Sequence, residues 1–371
     1  MTSRAKRFIE QQLALAGITI GGPHPHDPQV HDERLYKRVL VQGTLGLGEA
    51  YMDGWWDVEA LDAFFYKLST SRIQDHFPKD VGLLLSVARG KLLNMQRLRA
   101  REVGERHYDI GNDLYEAMLD PRMIYSCGYW RRANTLAEAQ EAKLDLICRK
   151  IGLEKGMRVL DIGSGWGGFL KFAAEHYGIS GLGVTVSKEQ MELANRRNTG
   201  LPVKTKLLDY QELDGQFDRI VSIGMFEHVG YKNYRAYFDK ARSLLVEDGL
   251  MLLHTIGGNH TAIHGDPWSE KYIFPNGMLP SITQIGGALE GRFVMEDWHN
   301  FGADYDLTLM AWWRNFETVW PALAPRYGDR FYRMWRYYLQ IFAALFRARN
   351  VSLWQLVLSP NGVPGGYRSI R

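Results

Sequence analysis

A glycine-rich loop behind a short apolar strand is the stretch of this sequence best suited to hold a ligand. Residues 158–162 form an apolar run of strand length, glycines follow at positions 163, 165, 167 and 168, and residues 169–176 have a helical pattern. Glycines in such a unit permit a tight turn and let the start of the helix approach a ligand. Asp161 lies two residues before the first glycine, where its carboxylate could meet a cationic amino-acid group or simply cap the turn.

The strand predicted after the glycine-rich loop and its helix helps to decide which ligand fits the loop. A dinucleotide site has an acidic residue about 20 positions beyond the glycines, where it binds the ribose. Here the strand predicted over 181–186 is followed by Ser187 and contains no acid. The sequence therefore favours a zwitterionic sulfonium cofactor over NAD.

Several motifs resemble the bacterial cyclopropane-fatty-acyl-phospholipid synthases, which are S-adenosylmethionine-dependent enzymes related to the mycolic acid cyclopropane synthases. In the second part of the chain they are VLDIGSGWGG (159–168), GVTVSKEQ (183–190), GMFEHVG (224–230), LLHTIG (252–257) and NFGADYDLTLMAWW (300–313). The likeness also covers GTLGLGEAYMDGWW (43–56) and HYDIGNDLYEAML (107–119), so it spans nearly the whole chain. One departure is Ser164, because a cysteine is common at this position in the family.

The resemblance implies a set of cofactor-binding residues. Thr185 and Gln190 would hold the ribose in place of the missing acid, and Asp209 and Tyr210 would lie near the adenine. The full predicted set for S-adenosylmethionine is Tyr125, Ser126, Asp161, Gly163, Gly165, Gly167, Thr185, Gln190, Asp209 and Tyr210.

The resemblance also implies a bicarbonate ion that acts as a base. An alkene that attacks a sulfonium methyl group becomes a carbocation, which must be shielded from water and then lose a proton for a ring to close. His254 and Tyr305 could donate to the anion, and Glu227 could accept its hydroxyl proton. The predicted catalytic residues are the side chains of Glu227, His254 and Tyr305 with the backbone of Cys127 and Ile256.

Simpler roles are open for some of these residues. Glu227 could be an acid at a helix start, and His254 could be a core histidine whose hydrogen bonds are satisfied. Cys127 is not expected to act as a nucleophile, because an alkene has no carbonyl carbon for a thiolate to attack.

Strands and helices alternate through the second part of the chain. Apolar runs of strand length at 181–186, 203–208, 219–224 and 250–255 are separated by helical stretches such as 188–195 and 234–245. This alternation predicts a parallel sheet with helices on both faces and a ligand at the carboxyl ends of the strands. Strands at 292–297 and 351–359 and helices at 303–320 and 329–349 follow. With the resemblance, the predicted fold is the class I S-adenosylmethionine-dependent methyltransferase fold, α/β and Rossmann-like, with an antiparallel final strand.

The first part of the chain predicts a smaller, mainly helical domain. Residues 3–16 have the pattern of a short amphipathic helix, residues 35–41 fit a strand or a short helix, and the aromatic residues Trp55, Trp56, Phe64 and Phe65 are expected in the core. We expect a lipid-binding or dimerisation domain over 1–100 and a catalytic domain over 101–371.

The basic surplus of the chain is concentrated in residues 79–106. Seven basic and three acidic residues give this segment a net charge of +4, against +3 for the whole protein. A helix with an apolar and a cationic face can lie on an anionic lipid surface, or it can pack on the second domain with its charges in water.

Composition and residue pattern argue against several other classes of protein. Two cysteines, Cys127 and Cys148, provide no disulfide framework, and no apolar run approaches the ~18 residues of a membrane span. No metal site is predicted, because the histidines at 24, 26 and 31 lack further ligands, and a nearly neutral chain without a recognition motif argues against nucleic acid. We expect a cytoplasmic protein at the inner face of the membrane, and the resemblance implies a homodimer.

Two enzymatic functions are open from the sequence. One is cyclopropanation of unsaturated acyl chains in membrane phospholipids, and the other is a related lipid methyl transfer that ends in a methyl or methylene branch. A membrane-binding module without enzymatic activity is a distant third.

Overall fold

The computed structural model describes residues 2–71 and 111–371 of the chain. The described helices are α1 (Thr2–Leu15), α2 (Arg34–Met52), α3 (Leu61–Thr70), α4 (Asn112–Met118), α5 (Leu136–Lys150), α6 (Gly168–Tyr177), α7 (Lys188–Arg197), α8 (Tyr234–Leu244), α9 (Pro267–Tyr272), α10 (Ile282–Leu289) and α11 (Ala303–Arg347). The strands are β1 (Gln29–Val30), β2 (Trp56–Asp57), β3 (Arg158–Ile162), β4 (Ser180–Thr185), β5 (Val203–Leu207), β6 (Phe217–Ile223), β7 (Leu245–Gly258), β8 (Val294–Asn300) and β9 (Val351–Ser359).

The chain folds into two compact units, each built from separate stretches. The first holds Met1–Leu93, His264–Pro275 and Tyr305–Val351, and the second holds Asn94–Ile263, Asn276–Asp304 and Ser352–Arg371. The predicted domain boundary at residue 100 falls outside the described residues and stays a prediction. The same holds for the alternatives given for residues 79–106.

A seven-stranded sheet forms the centre of the second unit. Its strand order is β5-β4-β3-β6-β7-β9-β8. The pairs from β5 through β7 are parallel, and β8 pairs with β9 in antiparallel orientation. The predicted methyltransferase sheet with an antiparallel final strand is therefore confirmed. The strand order reverses at β3, and ligands of open α/β sheets bind at such a switch point.

Alternating side chains of β3 are buried on the two faces of this sheet. Val159 belongs to a core cluster with residues of α5 and α6, whereas Leu160 and Ile162 belong to a cluster with residues of α8 and α10. Because strand side chains alternate between the faces, one short strand anchors helices on both sides. Cys148 lies fully buried in the first cluster.

β7 is longer than the run predicted over 250–255. Its pairing with β6 ends where Ile223 lies opposite His254, and β7 then continues to Gly258. The extension is held by hydrogen bonds outside that pair, because the backbone N–H of Ile256 donates to Glu227 and that of Gly258 donates to the carbonyl of Pro280.

Helices and aromatic side chains dominate the first unit. Residues 35–41, for which strand and helix were both open, are helical within α2, which contains a non-helical residue at Gly43. The two helices predicted over 303–349 are helical from Ala303 to Arg347 with a non-helical residue at Gly328, so the interruption comes later than Trp320. Trp56, Phe64 and Phe65 are buried, as expected for core residues, and Trp55 is partly exposed.

Every helix within residues 2–71 and 111–371 is too short or too polar to span a bilayer.

Close packing of β7 against β9 provides a test of the fold. A Cβ added at Gly257 would collide with the indole ring of Trp354, which is 2% exposed. We expect Gly257→Ala to destabilise the protein by about 1–3 kcal/mol and to lower the melting temperature by several degrees in calorimetry. Gly286→Ala is the matched control, because a Cβ there would enter open space on α10. Equal melting temperatures for the two variants would contradict this packing.

Candidate active site

A cleft at the carboxyl ends of β3, β4, β5 and β6 collects most of the predicted cofactor residues. Nine of the ten line this cleft, and Gly167 does not. The nine are Tyr125, Ser126, Asp161, Gly163, Gly165, Thr185, Gln190, Asp209 and Tyr210. All belong to the second unit, and their contact with a cofactor stays a prediction.

The glycine loop has a backbone that other residues would not tolerate. Gly163 has a φ of +84°, and a Cβ there would lie 2.7 Å from the side chain of Met225. The loop therefore brings its backbone against the segment that follows β6, with no side chain between them. Helix α6 begins directly after the loop, so its N-terminal N–H groups lie at the cleft.

One acidic and one basic side chain that line the cleft are buried. Asp161 is 2% exposed, and its Oδ1 has no hydrogen-bond partner among the described residues. Burial raises the pKa of Asp161 to about 7, and the ammonium of Lys143 opposes that shift. Lys143 on α5 is fully buried, and its Nζ donates to Oγ of Ser126 at 2.9 Å. Burial lowers the pKa of Lys143 to about 8.

The side chains after β4 and β5 are held by local hydrogen bonds. The hydroxyl of Thr185 donates to Oε1 of Gln190 at 2.8 Å, and Ser187 caps α7, the helix that carries Gln190. Asp209 accepts the backbone N–H of Gln211 at 2.9 Å and so caps a short 3₁₀ turn. These bonds orient the polar side chains that line the cleft.

Glu227 joins the loop after β6 to strand β7. It lies in a 3₁₀ turn, Phe226–His228, and its Oε1 accepts the backbone N–H of Ile256 at 2.7 Å. Its Oε2 is buried and has no hydrogen-bond partner in the described part of the chain. Burial raises the pKa of Glu227 to about 7, while the hydrogen bond from Ile256 acts in the opposite direction. A carboxyl group with such a pKa can exchange a proton near neutral pH.

His254 lies on β7 opposite the last residue of β6 and is 1% exposed. The amide Nε2 of Gln355 lies 3.2 Å from Nδ1 of His254. In this orientation of the Gln355 amide its nitrogen donates and Nδ1 accepts, which assigns the ring proton of neutral His254 to Nε2. This Nε2 is buried and without a hydrogen-bond partner in residues 2–71 and 111–371. Burial lowers the pKa of His254 well below its usual value, so the ring is a neutral donor.

The other two predicted catalytic residues lie in different units. Cys127 belongs to the second unit, is fully buried and directs its thiol to the carbonyl of Gly128. Tyr305 belongs to the first unit, where its ring stacks on Phe346 with centroids 4.5 Å apart. A role of Tyr305 beside the other four residues stays a prediction.

Three further residues of the site escaped the sequence analysis. Lys143 and His228 line the cleft, and Gln355 contacts His254. Lys143 lies among the buried apolar residues of α5, and Gln355 lies inside an apolar strand. A polar residue in a buried stripe is a usable signal, because burial without a partner is costly.

The donor set of the cleft fits S-adenosylmethionine. The amino-acid portion of this cofactor carries a carboxylate and an ammonium, and the cleft offers a buried lysine and a buried aspartate. Uncommitted oxygens at Asp161 and Ser164 provide further acceptors, since neither Oδ1 nor Oγ is bonded within the described residues. Residues 163–165 add backbone that a ligand can approach closely.

Comparison with known proteins agrees with this description. Residues 95–356 match the family described as mycolic acid cyclopropane synthetase. The chain is 52% identical to the cyclopropane-fatty-acyl-phospholipid synthase of Escherichia coli K12 over 98% of this chain and 96% of that protein. It is 32% identical to the tuberculostearic acid methyltransferase UfaA1 of Mycobacterium tuberculosis over 94% of this chain and 87% of that protein.

Solved structures of the same family are also similar to this chain. The mycolic acid cyclopropane synthase CmaA1, complexed with SAH and CTAB, superposes with a TM-score of 0.65 at 34% identity, over 70% of this chain and 97% of that chain. The chain therefore belongs to the mycolic acid cyclopropane synthetase family and is an S-adenosylmethionine-dependent methyltransferase.

Proposed function

We propose that this enzyme transfers a methylene group from S-adenosylmethionine to the cis double bond of unsaturated acyl chains in membrane phospholipids. The product is a cyclopropane fatty acyl chain, with S-adenosylhomocysteine and a proton released. The observation that carries the proposal is a buried acceptor, Oε2 of Glu227, and a buried donor, Nε2 of His254, on loops and strands adjoining the cofactor cleft.

The cofactor supplies a methyl group on a positively charged sulfur. The role of the protein is to bind and orient this group, which converts the attack of the alkene into a reaction within one complex. The ten predicted residues, nine of which line the cleft, are proposed to hold the cofactor.

A carbocation on the acyl chain must be kept from water until it loses a proton. Aromatic rings stabilise cations through their faces. The rings of Tyr129 and Phe301 lie 5.2 Å apart, and Phe301 also lies 6.0 Å from the His254 ring. This dry, aromatic environment supports ring closure over capture by water.

Removal of the proton requires a base in this dry environment, and bound bicarbonate would supply it. A bicarbonate oxygen can accept from Nε2–H of His254, and its hydroxyl can donate to Oε2 of Glu227. Tyr305 and the amides of Cys127 and Ile256 complete the proposed set, and an anion at Ile256 would share the N–H that donates to Glu227. Glu227 would then relay the proton away from the site.

The lipid substrate implies contact with a membrane surface. We propose that the protein is cytoplasmic, associates peripherally with the inner face of the membrane and works as a homodimer, with residues 1–100 serving lipid binding or dimerisation. The basic surplus of residues 79–106 supports attraction to anionic headgroups.

A second candidate function is methyl transfer that ends in a methyl or methylene branch. The similarity of the chain to a tuberculostearic acid methyltransferase supports this second candidate. Incubation with S-adenosylmethionine and vesicles of mono-unsaturated phospholipid, followed by proton NMR of the lipids, separates the two. Ring methylene signals at high field support cyclopropanation, and branch signals without ring signals would reject it.

Glu227 provides a direct test of the proposed proton relay. Glu227→Gln keeps the size of the side chain but removes the proton acceptor, so we expect turnover to fall at least about 100-fold. The dissociation constant for S-adenosylhomocysteine, measured by calorimetry, should change less than about 3-fold, because Glu227 does not line the cleft. Normal turnover in this variant would remove Glu227 from the mechanism.

The pKa of Glu227 predicts a pH dependence. The relay needs the ionised carboxylate, and burial raises the pKa of Glu227 to about 7. The value of kcat at saturating cofactor should therefore rise as the pH increases through about 7 and then level off. Saturation must be verified at each pH, because the pKa of Asp161 in the cofactor cleft is also about 7. A profile that falls with rising pH would contradict the assignment.

A further inference from the structure

The fully buried Lys143 lines the cofactor cleft and forms no ion pair with any residue of 2–71 or 111–371. Its Nζ makes one hydrogen bond within the described residues, to Oγ of Ser126 at 2.9 Å. An ammonium group has three N–H donors, so two remain available. The carboxylates of Asp120 and Asp161 act on Lys143 only through longer-range attraction. Two uncommitted donors on a buried cation are costly unless a ligand accepts them.

Helix α5 holds this ammonium in place. The helix begins with a capping box between Thr135 and Glu138, which fixes its first turn. Gln140 and Lys143, three residues apart on one face, both contact Ser126: Nε2 of Gln140 donates to its carbonyl at 2.8 Å and Lys143 to its hydroxyl. The ammonium is therefore oriented by a rigid element before any ligand arrives.

The hydroxyl of Ser126 adds a third donor to this corner. Because Oγ accepts from Lys143, the hydroxyl proton is directed away from the ammonium and can donate to another group. Lys143 and Ser126 together form a donor pair that suits a carboxylate. In the same cleft, Oδ1 of Asp161 is a buried acceptor that suits an ammonium. The cleft thus offers both a donor pair and an acceptor, which are the groups that an α-amino acid requires.

We infer that Lys143 binds the α-carboxylate of the cofactor's amino-acid portion, while Asp161 binds its α-ammonium. This inference rests on the cofactor site proposed above and adds a residue to it. A purely structural role, in which Lys143 only balances the buried charges of Asp120 and Asp161, is the competing explanation.

The test compares two ligands that differ only in the carboxylate. S-adenosylhomocysteine and its decarboxylated analogue, which keeps the amine, the sulfur and the adenosine, are titrated calorimetrically into the full-length protein. We expect the wild type to bind S-adenosylhomocysteine about 10- to 100-fold more tightly than the analogue. In Lys143→Met, binding of S-adenosylhomocysteine should weaken by a similar factor, while binding of the analogue should change less than about 3-fold.

A matched control comes from the same helix. Lys150 on α5 is also fully buried, but its Nζ lies 3.6 Å from the carboxylate of Asp297 and it does not line the cleft. Lys150→Met should leave the ratio of the two affinities unchanged, even where it lowers the melting temperature. This control separates loss of a ligand contact from general loss of a buried lysine.

The outcomes are distinct. Equal weakening of both ligands in Lys143→Met would assign Lys143 a structural role and overturn the inference. A wild-type protein that binds both ligands equally would overturn it without any variant, which covers the case in which Lys143→Met fails to fold. Selective binding in a protein that forms no cyclopropane ring would instead reject the proposed function and leave this inference intact.

Discussion

Removal of ionisable groups from water is the constraint on which this site depends. Asp161, Glu227, His254 and Lys143 are all nearly or fully buried. Each would be costly alone, because a buried polar group needs a partner. Each is held by one contact or one neighbouring charge and keeps further capacity for a ligand. The site is therefore matched to charged ligands in a dry environment.

The sheet supplies this arrangement through its topology. Parallel strands end at one edge, and the reversal of strand order at β3 opens a crevice there. β7 extends beyond the end of β6, which brings the amide of Ile256 to the carboxylate of Glu227. The amide nitrogen of Gln355 on β9 reaches the His254 ring of β7 within the same sheet. The proposed cofactor residues and Glu227, His254 and Ile256 are thus organised by one set of strand ends.

Periodicity and glycine spacing predict the parallel strands and the glycine loop, whereas the antiparallel final strand was predicted from the resemblance. β3 was predicted over the observed residues, and the fold class was confirmed. The roles assigned to Glu227 and Tyr305 came from resemblance, because spacing alone cannot tell a catalytic acid from a helix-start acid.

The features of the site that the sequence did not predict were missed for a physical reason. Lys143 looks like one polar position in an amphipathic helix until burial is known, and the contact of Gln355 with His254 spans 101 residues of sequence. The extension of β7 also depends on partners outside the strand, which a local pattern does not contain. Tertiary context decided each of these features.

We propose that a bound carbonate-type anion takes the last proton in a site that excludes water. The direct measurement is the rate of ring formation, followed by lipid NMR, in buffer freed of carbon dioxide and again after bicarbonate is restored. We expect a rate at least about 100-fold lower without the anion and full recovery on its return. An unchanged rate in the depleted buffer would contradict it.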